Sequence, residues 1–164
     1  MGLTSGSLAK DLGDGRWLVN RNGKTIEIQL RKNTSVKFER EVSVDEMAEG
    51  LFVNGYGKRN GETDITVNKL VILDRSYGRM ALGNNTFLNS VLVKSEAGWS
   101  IRTIRNGQSK ESVWPLKMSE KAKIYRRKNG KAAEMKPGMK IVQTGGKCAG
   151  EVRLVDLIVL LETP

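Results

Sequence analysis

Apolar and polar residues alternate with a period of two along much of the chain. In the segment Thr25 to Leu30 the alternation puts Ile26, Ile28 and Leu30 on one face, which predicts a strand buried on one side. No segment keeps a 3.6-residue apolar period over three turns, and residues 43–49 could form one helical turn at most. The pattern therefore predicts an all-β protein made of short strands.

The same landmarks occur twice, and each returns 82 to 88 residues later. The matched segments are Trp17 with Trp99, Arg21-Asn22-Gly23 with Arg105-Asn106-Gly107, Met47 to Val53 with Met135 to Ile141, and Ile65 to Leu73 with Val152 to Leu160. A nearly constant offset predicts one fold, duplicated. We expect a first β-barrel in residues 1–75, an ordered linker in residues 76–85, and a second β-barrel in residues 86–164.

Turn signals divide each predicted repeat into strands. Asn22-Gly23 and Asn106-Gly107 predict hairpins with type I′ turns, which need positive φ at both central residues. Residues 35–38 continue the alternation as a separate third strand, and an earlier strand is expected near residues 7–12 and again near 87–94. Because closure removes the edges of so short a sheet, we predict two tandem five- to six-stranded OB-like barrels.

The order of these motifs resembles a known family. Repeat one contains Thr34-Ser-Val36, then Met47-x-x-Gly50-x-x-Val53-x-Gly55, then a strand that starts with Ile65-Thr-Val67, and repeat two contains Met135-x-x-Gly138-x-x-Ile141. This is similar to a broad family of small bacterial β-barrel domains of unknown function, related in shape to OB-folds and often carried by exported proteins. The resemblance implies a fold and an extracytoplasmic location, and it assigns no activity, cofactor or catalytic residue.

The chain is basic, with 28 Lys and Arg against 18 Asp and Glu and a net charge of +10. Most of the excess lies after Leu82, which favours contact with a polyanion through release of counterions. No apolar run approaches the roughly 18 residues that would cross a bilayer, so no membrane span is predicted. Residues 1–7 do not have the pattern of a signal peptide, and the sequence leaves the compartment open.

Candidate chemistry is sparse. The chain has no histidine, which removes the usual general base and most transition-metal sites, and it has no phosphate-binding glycine motif. The lone Cys148 lies in a glycine-rich turn that repeat one forms without cysteine. We therefore predict a protein that is not an enzyme and uses no metal or cofactor.

Two groups of residues occur in only one repeat and are the candidate sites. Phe52 and Tyr56 fall on the face opposite Val53 and Gly55, and they are candidates for an interface or for stacking on bases or sugars. The second group is a run of cations that can attract phosphate or acidic polysaccharide: Lys117, Lys121, Lys123, Arg126, Arg127, Lys128 and Lys131.

Two functions fit these observations. The first is a non-enzymatic binding module that holds a polyanion, either nucleic acid or acidic polysaccharide, through the basic segment 117–131. The alternative is an extracytoplasmic structural or assembly module that acts through protein contacts at Phe52, Tyr56 and the linker.

Overall fold

The computed structural model describes residues 5–162, which are all-β apart from two single turns of 3-10 helix at Val44–Glu46 and Ala132–Glu134. Within this range no helix is long and apolar enough to cross a membrane. The strands are β1 (Ser7–Gly13), β2 (Arg16–Arg21), β3 (Lys24–Val42), β4 (Phe52–Asn60), β5 (Asp64–Ile72), β6 (Ala81–Leu82), β7 (Thr86–Ser95), β8 (Gly98–Ile104), β9 (Glu111–Gly130), β10 (Lys140–Ala149) and β11 (Val152–Leu161).

Two strands are much longer than predicted. Residues 25–30 and 35–38, expected as two strands, belong to the single 19-residue strand β3, and β9 has 20 residues. Between Lys24 and Val42 the sequence contains no glycine or proline to end the strand. The place between the two predicted strands is marked instead by a shift in the register of β3 with β11, between Leu30 and Ser35. The other expected strands are present, and the predicted helical turn forms at Val44–Glu46.

The chain divides into two compact units. Unit 1 contains the residues up to Arg40 and the residues from Lys128 onward, and unit 2 contains Glu41–Arg127. Both unit boundaries fall inside a long strand, β3 or β9.

Unit 1 is a closed five-stranded barrel. β1 pairs with β2 and β10, β2 pairs with β3, β10 pairs with β11, and β11 closes the ring by pairing in parallel with β3. The inward-facing residues of all five strands form one apolar core, in which burial of each large side chain contributes about 1.5–3 kcal/mol. Residues 1–4 and 163–164, which the predicted barrel boundaries include, lie outside the described residues.

Unit 2 has a matching cyclic order of pairings. β4 pairs with β5 and β7, β5 pairs in parallel with β9, and β8 pairs with both β7 and β9. The short strand β6 is added beside β7. The core of this unit contains Trp114 and Phe87, and Trp99 packs against it, as expected for tryptophans that head or lie in alternating strands.

Each unit takes strands from both halves of the chain, which corrects the predicted boundaries at residues 75 and 86. β1, β2 and β3 close with β10 and β11, whereas β4 and β5 close with β7, β8 and β9. Comparing the two halves identifies segments that are alike, but it does not show which copy each segment pairs with. The apolar patterns of β5 and β11 are alike, so the sequence does not choose between β3 and β9 as the partner of β11.

In each unit, backbone hydrogen bonds join a strand from one half of the chain to a segment from the other half. Leu8 N–H donates to Met139 O at 2.9 Å and Leu8 O accepts from Gly138 N–H at 2.7 Å. In unit 2, Leu92 N–H donates to Leu51 O at 2.9 Å and Leu92 O accepts from the N–H of the glycine before Leu51, also at 2.9 Å. In both pairs, a strand from one half is bonded to the Met-x-x-Gly segment of the other half.

The two predicted Asn-Gly turns differ. Asn22 and Gly23 both have positive φ, at 52° and 76°, as a type I′ hairpin requires. At the second turn Gly107 has φ 85°, but Asn106 is not in the positive-φ region, and six residues separate β8 from β9. The hairpin there is present, but its turn is wider than predicted.

The predicted linker, residues 76–85, is held by contacts within unit 2. Leu82 is buried in the core of the unit, and β6 pairs with β7. The Asn89 side chain accepts a hydrogen bond from Tyr77 N–H at 2.9 Å and donates to Arg79 O at 3.3 Å. The segment is therefore ordered by the pairing of β6 with β7 and by the two hydrogen bonds of the Asn89 side chain.

Candidate functional site

The predicted basic segment lies mostly on β9, where the unit boundary divides it. Lys117, Lys121, Lys123, Arg126 and Arg127 belong to unit 2, and the other two predicted cations belong to unit 1. In unit 2 the parallel pairing of β9 with β5 sets Lys117 beside Thr66 and Lys123 beside Lys69. Lys117, Lys121 and Lys123 are exposed.

Two of the predicted cations in unit 2, Lys117 and Arg126, form ion pairs. Lys117 Nζ lies 3.0 Å from Asp64 Oδ2, and Arg126 Nε lies 3.0 Å from Glu46 Oε1. A hydrogen bond from Asn60, followed by one from Lys117, holds the pKa of the Asp64 carboxyl below its ordinary value. These contacts partly neutralise cations that the sequence alone presents as free.

The unit 1 cations are also engaged in local structure. Lys128 Nζ lies 2.9 Å from Glu162 Oε1, and that hydrogen bond raises the pKa of the lysine. The backbone N–H of Lys131 donates to Glu134 Oε1 at 2.8 Å, at the start of the second 3-10 turn. Arg127, on the other side of the boundary, is buried. Of these three residues, Lys128 is therefore paired with a carboxylate and Arg127 is buried.

Tyr56 lies beside a lysine that the sequence did not single out. Lys69 Nζ lies 5.7 Å from the centroid of the Tyr56 ring and 4.9 Å from the centroid of the Tyr125 ring. Pairing of β4 with β5 sets Tyr56 opposite Lys69, and Tyr125 is two residues beyond Lys123 on β9. The ammonium thus contacts two aromatic rings from two neighbouring strands.

The predicted outward face of β4 is confirmed in part. Val53 and Gly55 are buried, while Phe52 and Tyr56 are half-buried, so the alternation is as expected. Phe52, which lies four residues before Tyr56, is paired in register with Val91. The structure brings Tyr56 to a cationic group, and it does not bring Phe52 to one among the described residues.

We define the basic face of unit 2 by its lysines and tyrosines on three neighbouring strands. Its members are Tyr56 and Lys58 on β4, Lys69 on β5, and Lys117, Lys121, Lys123 and Tyr125 on β9. The sequence analysis did not identify three of these residues. Lys58 and Lys69 lie in the predicted first barrel, away from the cation run, and Tyr125 lies within the run but is not a cation.

The face carries groups that can bind anions. Lysine ammonium groups attract phosphate, sulfate or carboxylate, and tyrosine rings can stack on planar groups. Within residues 5–162 no three His, Cys, Asp or Glu side chains are grouped as metal ligands would be. Cys148 is exposed on β10 of unit 1 and takes no part in this face.

Comparisons with protein-family models, with curated proteins and with solved structures found no match for this chain.

Proposed function

We propose that the protein is a non-enzymatic binding module whose basic face in unit 2 holds a polyanion. The observation that carries this proposal is the register of β5 and β9, which sets Lys69 directly beside Lys123. Like charges on directly paired strand residues repel each other. An anion that bridges the two ammonium groups would remove that repulsion.

The surrounding residues strengthen the proposal. Lys121 and Lys123 are exposed, and Lys58 is exposed on the other side of β5. Asp64 is buried and already paired with Lys117, and the exposed acidic residue next to Lys121 on β9 is Glu120. An incoming anion therefore meets three exposed lysines, Lys58, Lys121 and Lys123, against this one exposed carboxylate.

Single-stranded nucleic acid is the polyanion we favour. Tyr56 and Tyr125 supply aromatic rings beside the lysines, and single-strand binders combine a basic groove with stacking on aromatic side chains. We also infer that both units are OB-like barrels derived from a duplicated segment. OB-folds bind oligonucleotides on the face of their second and third strands. The basic face shares the third strand, β9, with that surface, and its other members lie on β4 and β5.

The experiment compares two triple variants of equal net charge. Lys58→Gln/Lys121→Gln/Lys123→Gln removes three exposed lysines of the face, and the control removes Lys10, Lys24 and Lys32, which are exposed lysines of unit 1. Fluorescence anisotropy measures the affinity of each protein for a labelled oligothymidine and for labelled heparin across a series of salt concentrations.

The face variant should bind oligothymidine more weakly than wild type. Its slope of log K against log salt is negative and should become less steep by about 2, since each lost single-strand phosphate contact removes about 0.7 from its magnitude. The control should keep the wild-type slope. Binding of heparin alone would identify an acidic polysaccharide as the ligand. Equal losses in the two variants, or no binding of either probe by wild type at low salt, would refute the proposal and leave the protein-contact alternative.

A further inference from the structure

A separate polar cleft in unit 2 contains two arginines. The cleft has a volume of about 290 Å³ and is lined by Arg59, Leu82, Gly83, Asn84, Arg105 and Asn106. This volume lies at the lower end of the range for small-molecule sites, roughly 300–1,000 Å³. None of these residues belongs to the basic face.

Arg59 is held firmly in the wall of the cleft. Its Nη2 donates to Asn84 Oδ1 at 2.9 Å, its Nη1 donates to Gly61 O at 2.7 Å, and its backbone N–H donates to Asn84 O at 2.9 Å. The guanidinium carbon also lies 5.8 Å from the centroid of the Trp114 ring. Its side chain is only 15% exposed, so it presents a pre-positioned positive charge.

Arg105 holds the carboxylate of Glu62 through one nitrogen. Its Nη1 lies 2.6 Å from both Glu62 oxygens, and Arg59 Nη1 lies 3.5 Å from one of them. The hydrogen bond from Arg105 is the main cause that lowers the pKa of Glu62. No hydrogen bond within the described residues engages the other guanidinium nitrogens of Arg105, so its bidentate edge is available.

We propose that this cleft is a binding site for the carboxylate of a small organic acid, and that Glu62, which does not itself line the cleft, competes with that ligand for the charge of the two arginines. Glu62 lies in the turn between β4 and β5 and its side chain is 72% exposed, so little besides the two arginines holds it. An ion pair this exposed adds little to stability, and a competing carboxylate can displace it. Two side-chain amides, of Asn84 and Asn106, line the cleft beside the arginines and can orient the rest of the ligand.

The experiment titrates the protein with succinate and follows the side-chain Nε–H resonances of Arg59 and Arg105 by NMR. Glu62→Gln removes the internal competitor, and because the side chain is exposed the variant should fold normally. Glu111→Gln is the matched control, since Glu111 also pairs with an arginine of unit 2, Arg102 at 3.4 Å, but lies outside the cleft.

Succinate should shift both arginine resonances, and Glu62→Gln should bind it about fivefold more tightly, the largest gain expected from removing an exposed ion pair. Glu111→Gln should bind like wild type, and Arg105→Gln in the Glu62→Gln background should lose the gain. The proposal is overturned if Glu62→Gln gains nothing, or if neutral succinamide binds as tightly as succinate. Oligothymidine binding at the basic face is measured separately, so either proposal can fail without the other.

Discussion

Replacing Gly55 with alanine tests the packing of unit 2 at the place where the two halves of the chain meet in one core. Gly55 on β4 is paired in register with Phe87 on β7, and Phe87 is 1% exposed. A Cβ at position 55 would overlap three carbons of the Phe87 ring, the most distant of them 2.6 Å away. Real Cβ atoms do not approach that closely, so the ring or the strand must move.

Overpacking of this kind costs about 1–3 kcal/mol, so Gly55→Ala should lower the free energy of unfolding by that amount. Phe87→Ala alone should cost about 3–5 kcal/mol, because it empties a buried site. In the double variant the added methyl no longer meets a ring. The coupling energy should therefore be at least about 1 kcal/mol, in the direction that makes the pair less harmful than the sum.

Urea unfolding followed by tryptophan fluorescence measures all three variants. Gly145→Ala on β10 is the matched control, because a Cβ there would meet only Leu157 Cβ, at an ordinary 3.7 Å. The control should be neutral or slightly stabilising, by up to about 1 kcal/mol. Gly55→Ala within about 0.5 kcal/mol of wild type, or strict additivity with Phe87→Ala, would refute the packing described for this unit.

Two further predictions concern single polar residues. Because the folded pKa of Asp64 lies below its ordinary value of 3.8, the ionised carboxyl stabilises the fold above that pH, and this stabilisation is lost as the pH falls through the lower folded value. The urea midpoint of Asp64→Asn should therefore fall less than that of wild type between about pH 6 and about pH 3. An equal fall in both proteins would contradict the lowered pKa of Asp64. Asn89, in β7, has φ 51°, and its side chain is bonded to the backbone of Tyr77 and Arg79. Asn89→Ala should lower stability by about 1–2 kcal/mol and speed tryptic cleavage after Arg79, whereas Asn89→Gly should keep the positive φ and lose only the side-chain hydrogen bonds. Identical cleavage rates in all three proteins would show that these hydrogen bonds do not order the segment.

Local features of the fold were predictable because neighbouring residues determine them. Alternation placed Ile28 and Leu30 in a core, and both are buried. The positive φ of Asn22 follows from the requirements of a two-residue hairpin, which the Asn-Gly sequence meets. The burial of Trp114 followed from its alignment with Ile28. Each of these depends on a few adjacent positions.

The choice of barrel for each strand was not predictable, because it depends on long-range pairing. The apolar residues of β5 and β11 are alike, so periodicity does not show whether Leu70 joins Ile124 or Val36. The structure pairs Leu70 with Ile124, and it pairs Ile158 with Val36.

The candidate site was predictable to the same extent. The exposed positions of Lys121 and Lys123 followed from the sequence, and the contact of Lys69 with Tyr56 and Tyr125 did not. Lys69 lies in the predicted first barrel and Tyr125 in the predicted second, so no pattern in the sequence sets them together.

Both proposed sites require that strands from both halves of the chain pair with each other in unit 2. Engineered disulfides test that pairing directly. In a Cys148→Ser background, Lys69→Cys/Lys123→Cys places thiols at register partners on β5 and β9. Ser35→Cys/Lys69→Cys is the competing pair, since Ser35 corresponds to Lys123 in the other half and is paired with Leu157 instead. Neighbouring strand positions fall within the Cα separation that a disulfide tolerates, about 4.4–6.8 Å.

Each double-cysteine variant is oxidised mildly as monomeric protein, and its disulfide is identified by peptide mass analysis. If each unit takes strands from both halves of the chain, the 69–123 disulfide forms in its variant and the 35–69 disulfide does not form in the other. A 35–69 disulfide in the absence of a 69–123 disulfide would show that each half closes its own barrel, and would contradict the account.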